Sequence, residues 1–407
     1  MEADAVNYDE LAVIAGQIFN PNTPVSEKDL FSGRTEQIRR VLDAIFQKGQ
    51  HVIIFGERGV GKTSLANVLS AFVPNPTSQV SSIRINCDTA DTFSSVWRKI
   101  FESMRLTSTN KTIGFNTIGE AKPFETANFF PHLDVAPDEV RLALLSVSQI
   151  FQPVIIIDEF DRLDKDVRRL FSDVIKNLSD HALIATVILI GVGDSVEDLV
   201  NEHQSVSRAL IQVNMPRMTP EEIKAIITNA TIRLGMTITP DALKQLSLLA
   251  KGLPHYAHLM GLHATRDTLD NKSLKINIDN LRVAIDKSLK DAQHSIITNY
   301  YKAIRSSKKN NLFSEVLLAC AVAEVNELGE FAAQDIRNPL SQITGRYYDI
   351  PAFAQHLNDF SSDVRGNILI KSGNRRRYRY KFSDPLMQPF TIMQGIINNK
   401  IATQSLI

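Results

Sequence analysis

Two groups of residues in this 407-residue chain have the types and spacing to do phosphate chemistry. The first, Gly56-Glu57-Arg58-Gly59-Val60-Gly61-Lys62-Thr63-Ser64, fits the pattern G-x-x-x-x-G-K-[ST]. Its glycines let the backbone curl until several N–H groups converge on one concavity, and a helix start behind them adds its positive dipole end. Gly56, Gly59, Val60, Gly61, Lys62, Thr63 and Ser64 are therefore candidate polyphosphate-binding residues. Lys62 suits the β- and γ-phosphates of ATP, and the Thr63 hydroxyl suits Mg²⁺. The second group is Asp158-Glu159, which begins 95 residues past Thr63. Asp158 has the chemistry to support Mg²⁺ through water, and Glu159 to polarise a water attacking the γ-phosphate.

These residues need elements that place them. The apolar run Val52-Ile53-Ile54-Phe55 precedes the loop and the helix-prone run from Ser64 to Leu69 follows it, so the motif sits in a strand, loop and helix. A glycine-rich turn matching by chance would lack those flanks. Four consecutive β-branched residues, Val154 to Ile157, predict a strand buried on both faces, as in a parallel sheet. The competing reading of the two carboxylates at its end is that they merely cap the next helix.

Further strands are predicted at Ile83 to Cys87, Ala185 to Ile190 and Ile211 to Val213. Helical patterns alternate with them. From Thr35 the apolar positions Ile38, Val41, Leu42 and Ile45 share a face, with Gly49 as the closing glycine. Phe93, Val96, Trp97, Ile100 and Met104 form a second stripe, and Asp138 to Ile150 a third helix. A fourth carries Val167, Leu170, Phe171, Val174 and Leu178. The alternation predicts an α/β fold with a P-loop three-layer αβα core and a parallel sheet. Residues 105–135, rich in Thr, Asn, Gly and Pro, read as an insertion or long loop.

Past Pro216 the pattern turns to helices only. Thr219-Pro220-Glu221-Glu222 and Thr239-Pro240-Asp241 are N-cap starts with proline in the first helical position. Gly235 and Gly252 close helices, and a long helix is predicted from Asp279 into the 290s. The polar run Ser306 to Asn311 has linker composition. Short helices follow at Leu312 to Ala323, Ala332 to Ile336 and Pro351 to Phe360. Two β-prone runs, Ile368 to Lys371 and Arg377 to Phe382, then flank Ser372-Gly373-Asn374, and a last helix closes near Pro385 to Asn398. Helices followed by a hairpin predict a winged helix-turn-helix. The segments are thus 1–30, preceding the core and holding a short helix (Glu10 to Ile18), the core at 31–215, a helical domain at 216–305 and a winged helix at 306–407.

In the proposed wing, Arg375, Arg377, Arg379 and Lys381 alternate with Arg376, Tyr378, Tyr380 and Phe382, which puts a basic row on one strand face. That row suits the phosphates of duplex DNA. A solvated edge strand protected by charge is the alternative. Lys plus Arg and Asp plus Glu both number 45, so net charge selects no partner and any nucleic-acid surface must be a local patch. Cys87 and Cys320 lie in no metal-ligand spacing and read as buried free thiols. The start lacks an apolar h-region and no run approaches about 18 apolar residues, so a cytoplasmic protein without a membrane span is expected.

Walker A, an Asp-Glu Walker B, a helical domain and a C-terminal winged helix resemble an AAA+ ATPase, and more narrowly the origin-recognition initiator clade and its bacterial relatives. The resemblance implies ATP hydrolysis, a helical lid, homo-oligomers and coupling of nucleotide state to DNA, and the weak sensor residues Asp194 and His255 imply slow turnover. Phe31-Ser32-Gly33-Arg34 resembles the clade's Gly-Arg box, which places Arg34 at the adenine. Arg208 stands where such proteins carry an arginine finger that completes a neighbour's site. A surface arginine is the other reading. Asp194 falls at the sensor-1 position, where a carboxylate would repel the γ-phosphate. His255 takes the place of the sensor-2 arginine, and a satisfied helix-start histidine is its alternative. A second architecture shares these parts. In a STAND-type switch, the winged helix would report nucleotide state to a protein partner.

Overall fold

A computed structural model describes residues 7–21, 34–72, 80–109, 129–130, 132–193, 195–200, 204–307, 311–326, 328–374 and 377–402. The chain divides into two compact units, one of Met1–Thr23, Arg58–Val60 and Arg217–Ile407, the other of Pro24–Glu57 and Gly61–Pro216.

The second unit is built on a five-stranded parallel sheet of β1 (His51–Gly56), β2 (Val80–Asn86), β3 (Gln152–Asp158), β4 (Thr186–Val192) and β5 (Leu210–Asn214), in the order β2-β3-β4-β1-β5. The apolar runs behave as their composition dictates. Val154 to Ile157 are each 0% exposed, which requires helices on both faces of β3. One such helix, Phe93–Thr109, buries the Phe93, Val96, Trp97, Ile100 and Met104 stripe. Trp97 stacks on Phe171 of helix Lys165–Asp180 with ring centroids 5.7 Å apart. Burying one such aromatic side chain contributes about 1.5–3 kcal/mol.

Several boundaries shift for physical reasons. The helix from Thr35 ends at Ile45, with Phe46 as its C-cap, and Gly49 (φ 68°) serves the turn after it. Helix Phe93–Thr109 runs five residues into the 105–135 segment, and residues 110–128 and 131 of that segment lie outside the described residues. Leu170 points outward at 36% exposure although it fits the helical stripe.

In the first unit, helix Pro220–Arg233 starts with the expected capping box between Thr219 and Glu222. Helices Pro240–Leu249, Pro254–Asp270, Ile278–Lys290 and His294–Ile304 follow. The expected long helix from Asp279 is broken between Lys290 and His294. The all-helical expectation also missed a small parallel pair, β6 (Thr237–Ile238) with β7 (Lys275–Ile276). Helix Tyr8–Ile18 belongs to this unit, with Phe19 fully buried against Gly261 and His258.

The winged helix is present with one more strand than the sequence suggests. Helices Phe313–Val322, Arg337–Thr344 and Ile350–Phe360 pack with a three-stranded sheet, β8 (Phe331–Ala332), β10 (Arg379–Phe382) and β9 (Leu369–Ser372), in the order β8-β10-β9. A two-residue strand carries too little pattern to be read from sequence. Helix Met387–Ile397 follows, and Tyr256 donates to the Leu386 carbonyl at 2.8 Å within the same unit. Among the described residues, no helix is long and apolar enough to cross a membrane.

Candidate nucleotide site

The loop after β1 has the backbone its glycines permit. Gly56, Gly59 and Gly61 have φ of 152°, 85° and 95°, and a Cβ at Gly56 would lie 2.4 Å from the Met215 carbonyl oxygen. Side chains are thus excluded where the backbone must curl. Helix Lys62–Phe72 begins directly behind the loop, with Thr63 and Ser64 half-buried in its first turn. Lys62 is buried, and its ammonium donates to the carbonyls of Gly56 at 2.9 Å and Glu57 at 2.8 Å.

The strand order brings the second group to the same edge. β4 separates β1 from β3, and the registers Gly56↔Val192 and Ile157↔Leu189 align their C-terminal ends. Two inter-strand spacings amount to about 10 Å. Open parallel sheets place ligands at this edge, where the strand order reverses.

Asp158 is buried, and both of its oxygens are engaged. Oδ1 accepts the Glu159 N–H at 2.9 Å, and Oδ2 faces the Arg84 guanidinium at 2.8 Å. Glu159 adopts left-handed φ of 56°, and its exposed carboxylate pairs with Arg162 at 2.8 Å. Asp161 accepts the Val192 N–H at 2.8 Å, tying the turn after β3 to the end of β4. Arg84 and Asp161 were not singled out from sequence. An arginine between two isoleucines on a strand was the available signal for Arg84.

The donor set fits a magnesium nucleotide. A hydroxyl (Thr63) and a carboxylate (Asp158) are the oxygen ligands that Mg²⁺ takes, and the glycine cradle leaves room for phosphate oxygens. Two internal charges already satisfy these groups: Lys62 is folded onto loop carbonyls, and Arg84 rests on Asp158.

The remaining predicted residues fall in varied places. Arg34 is buried at left-handed φ of 62° and donates to the Pro216 carbonyl, so its guanidinium is committed to the backbone. Arg208 is exposed in the last turn of helix Gln204–Ala209. Asp194 lies outside the described residues. His255 sits in the first turn of helix Pro254–Asp270 with Nδ1 2.9 Å from the Pro21 carbonyl, so that nitrogen donates. Burial holds the imidazole below its ordinary pKa. The ring is thus satisfied at the helix start by a backbone carbonyl distant in the chain. Within the same unit, Arg58 of the loop tip lies 3.4 Å from Asp384.

On the wing, Arg379 and Lys381 alternate with buried Tyr380 and Phe382. Strand β10 starts at Arg379, so the alternation does not extend to Arg377 and Tyr378, and Arg375 and Arg376 lie outside the described residues. Arg377 is exposed, and Arg379 is 3.9 Å from Asp335. Helix Ile350–Phe360 carries no lysine or arginine. Cys87 and Cys320 are buried and free, and burial raises the Cys87 thiol to about 12.

A parallel sheet of this order, with a phosphate loop after β1 and an Asp-Glu pair after β3, defines a P-loop ATPase fold of the AAA+ type. The model of one family, Novel STAND NTPase 1, matches residues 24–264, more than half of the chain. The chain belongs to that family. It is also similar to the ORC1-type DNA replication protein 2 of Thermoplasma acidophilum, 23% identical over 329 residues, covering 79% of this chain and 73% of that protein. Among solved structures, the Walker-type ATPase PABY2304 of Pyrococcus abyssi has a TM-score of 0.57 at 15% identity, covering 93% of this chain and 99% of that one. The Aeropyrum pernix ORC2 protein, in ADPNP and ADP complexes, has a TM-score of 0.50 at 14% identity, covering 95% and 98%. The likeness to the two solved structures is one of fold.

Proposed function

We propose that this chain is a slow Mg²⁺-dependent ATPase that couples its nucleotide state to DNA engagement. The observation that carries the reading is the alignment of the Lys62-Thr63 loop and the Asp158-Glu159 pair on one edge of the sheet. In this reading the loop N–H groups and Lys62 hold the phosphates. Thr63 and Asp158 would hold Mg²⁺, which would supply neutralisation of phosphate charge. Glu159 leaves Arg162, accepts a proton from water and so directs that water in line at the γ-phosphate. Arg34 and His255 are placed near backbone partners rather than kept as spare donors, which favours slow turnover. Arg379 and Lys381 of β10, together with the neighbouring Arg375, Arg376 and Arg377, would be the surface for duplex DNA. Homo-oligomers meeting through Arg208 would supply the transition-state charge in trans, and the protein works in the cytoplasm.

A second reading, a STAND-type switch that signals to a protein partner, is favoured by the family match. One experiment tests both. ATP binding and phosphate release are measured, with and without duplex DNA, for the wild type, Glu159→Gln and Arg208→Ala. Glu159→Gln should keep binding and lose turnover. A Glu159→Gln protein that still hydrolyses ATP refutes the base assignment. Loss of turnover in Arg208→Ala with intact binding supports the oligomeric ATPase, and an unchanged rate supports the switch.

A further inference from the structure

Arg84 reaches the metal-supporting carboxylate from the neighbouring strand. β2 and β3 run parallel with Asn86 opposite Asp158, and Arg84 lies two residues before Asn86, on the same face. Its Nη2 is 2.8 Å from Asp158 Oδ2 and 3.5 Å from the Asn86 side-chain oxygen, while Nη1 donates to Asn67 of helix Lys62–Phe72. The Asp158 side chain is 4% exposed and that of Arg84 22%. A carboxylate so buried is strongly unfavourable without a counter-charge. Among the described residues, Arg84 is the one cation paired with it.

We propose that Arg84 is an internal stand-in for magnesium: it neutralises Asp158 in the nucleotide-free protein and yields that carboxylate when the metal and nucleotide enter. This rests on the reading of the site as a magnesium-nucleotide site. A guanidinium at 2.8 Å occupies a lone-pair direction of Oδ2, and a single carboxylate between a monocation and a dication brings the two cations into repulsion. The guanidinium is also incompletely satisfied where it rests, because its Nε is buried without a hydrogen-bond partner. Asn67 and Asn86 offer neutral oxygens that retain it nearby after release. Two consequences follow. The metal-free protein keeps a neutral core edge without Mg²⁺, and metal binding carries the work of breaking the Arg84–Asp158 pair. Arg84 therefore acts as a positioning residue that sets how much Mg²⁺ the site needs.

The test titrates Mg²⁺ into the full chain with a fixed amount of fluorescent ATP, for the wild type, Arg84→Gln and Arg84→Lys, with melting temperature read on the same samples. In Arg84→Gln the half-saturating Mg²⁺ should fall about tenfold or more, the effect of one hydrogen bond to a charged group. Its melting temperature without metal should drop and be restored by Mg²⁺ to a greater extent than in the wild type. Arg84→Lys keeps a cation but not the simultaneous hold on Asn67, so it folds and shifts the half-saturation in the same direction by less. Unchanged half-saturation in the folded variants overturns the proposal, as does a melting loss that Mg²⁺ does not repair. A wild type that binds no nucleotide overturns the reading beneath it as well, so the two failures are told apart.

Discussion

His51 opens the strand that carries the phosphate loop, and acid should destabilise that strand's unit through it. The side chain is 0% exposed, and Nδ1 accepts the Val187 N–H at 3.1 Å. The ring proton is therefore on Nε2, which has no partner. Burial lowers the pKa from 6.5 to about 3. A second proton would also have to sit on a nitrogen that already faces an N–H donor. The sign follows from linkage. Above pH 6.5 both folded and unfolded forms are neutral, and the stability is complete. As the pH falls below 6.5 the unfolded histidine takes up a proton that the folded one refuses, and stability is lost until the folded pKa near 3 is passed. At pH 5 the loss is about 1.5 pH units at 1.36 kcal/mol each, or about 2 kcal/mol. This value holds for any folded pKa well below 5. Trp97, the single tryptophan, is fully buried in the same unit and reports its unfolding. Denaturant titrations at pH 7.5 and pH 5.0, followed by its fluorescence, should show a drop about 2 kcal/mol larger for the wild type than for His51→Asn, whose amide oxygen can accept the Val187 N–H without titrating. His258, also lowered by burial to about 4, titrates alike in both proteins and cancels. Equal drops in the two proteins would refute the argument.

Other expectations concern the loop and the wing. Gly56→Ala forces a Cβ to within 2.4 Å of the Met215 oxygen, so it should destabilise the parallel-sheet unit by about 1–3 kcal/mol and weaken ATP binding. Gly235→Ala, where a Cβ meets nothing within 4 Å, should carry only the smaller strain of its φ of 64°, and comparing the two by denaturation separates clash from dihedral. Replacing Arg377 and Arg379 by alanine should lower duplex affinity and flatten its logarithmic salt dependence by about one unit per lost phosphate contact, and an unchanged slope would count against the wing as the DNA surface.

The parts legible in the sequence were those that a local pattern dictates. Glycine spacing, a lysine and a hydroxyl residue specify the phosphate loop because backbone curvature and donor chemistry are properties of consecutive residues. Val154 to Ile157 reveal a strand buried on both faces because no exposed surface would tolerate four such side chains in a row. The capping box at Thr219 and Glu222 is a contact three residues apart, and the sequence holds all of it. Strands of two residues, such as Phe331–Ala332, carry no period and were missed.

Partner choice was decided by the tertiary structure alone. The sequence names Asp158 but not Arg84, because their 2.8 Å contact depends on β2 lying beside β3, which strand order and not local pattern determines. It offers His255 and Arg34 as nucleotide ligands, and folding gives each a backbone carbonyl, Pro21 for one and Pro216 for the other. Chemistry that is local in the chain is written there. Charges that meet only across the sheet become partners when the sheet forms, since a buried charge takes whichever counter-charge the topology delivers.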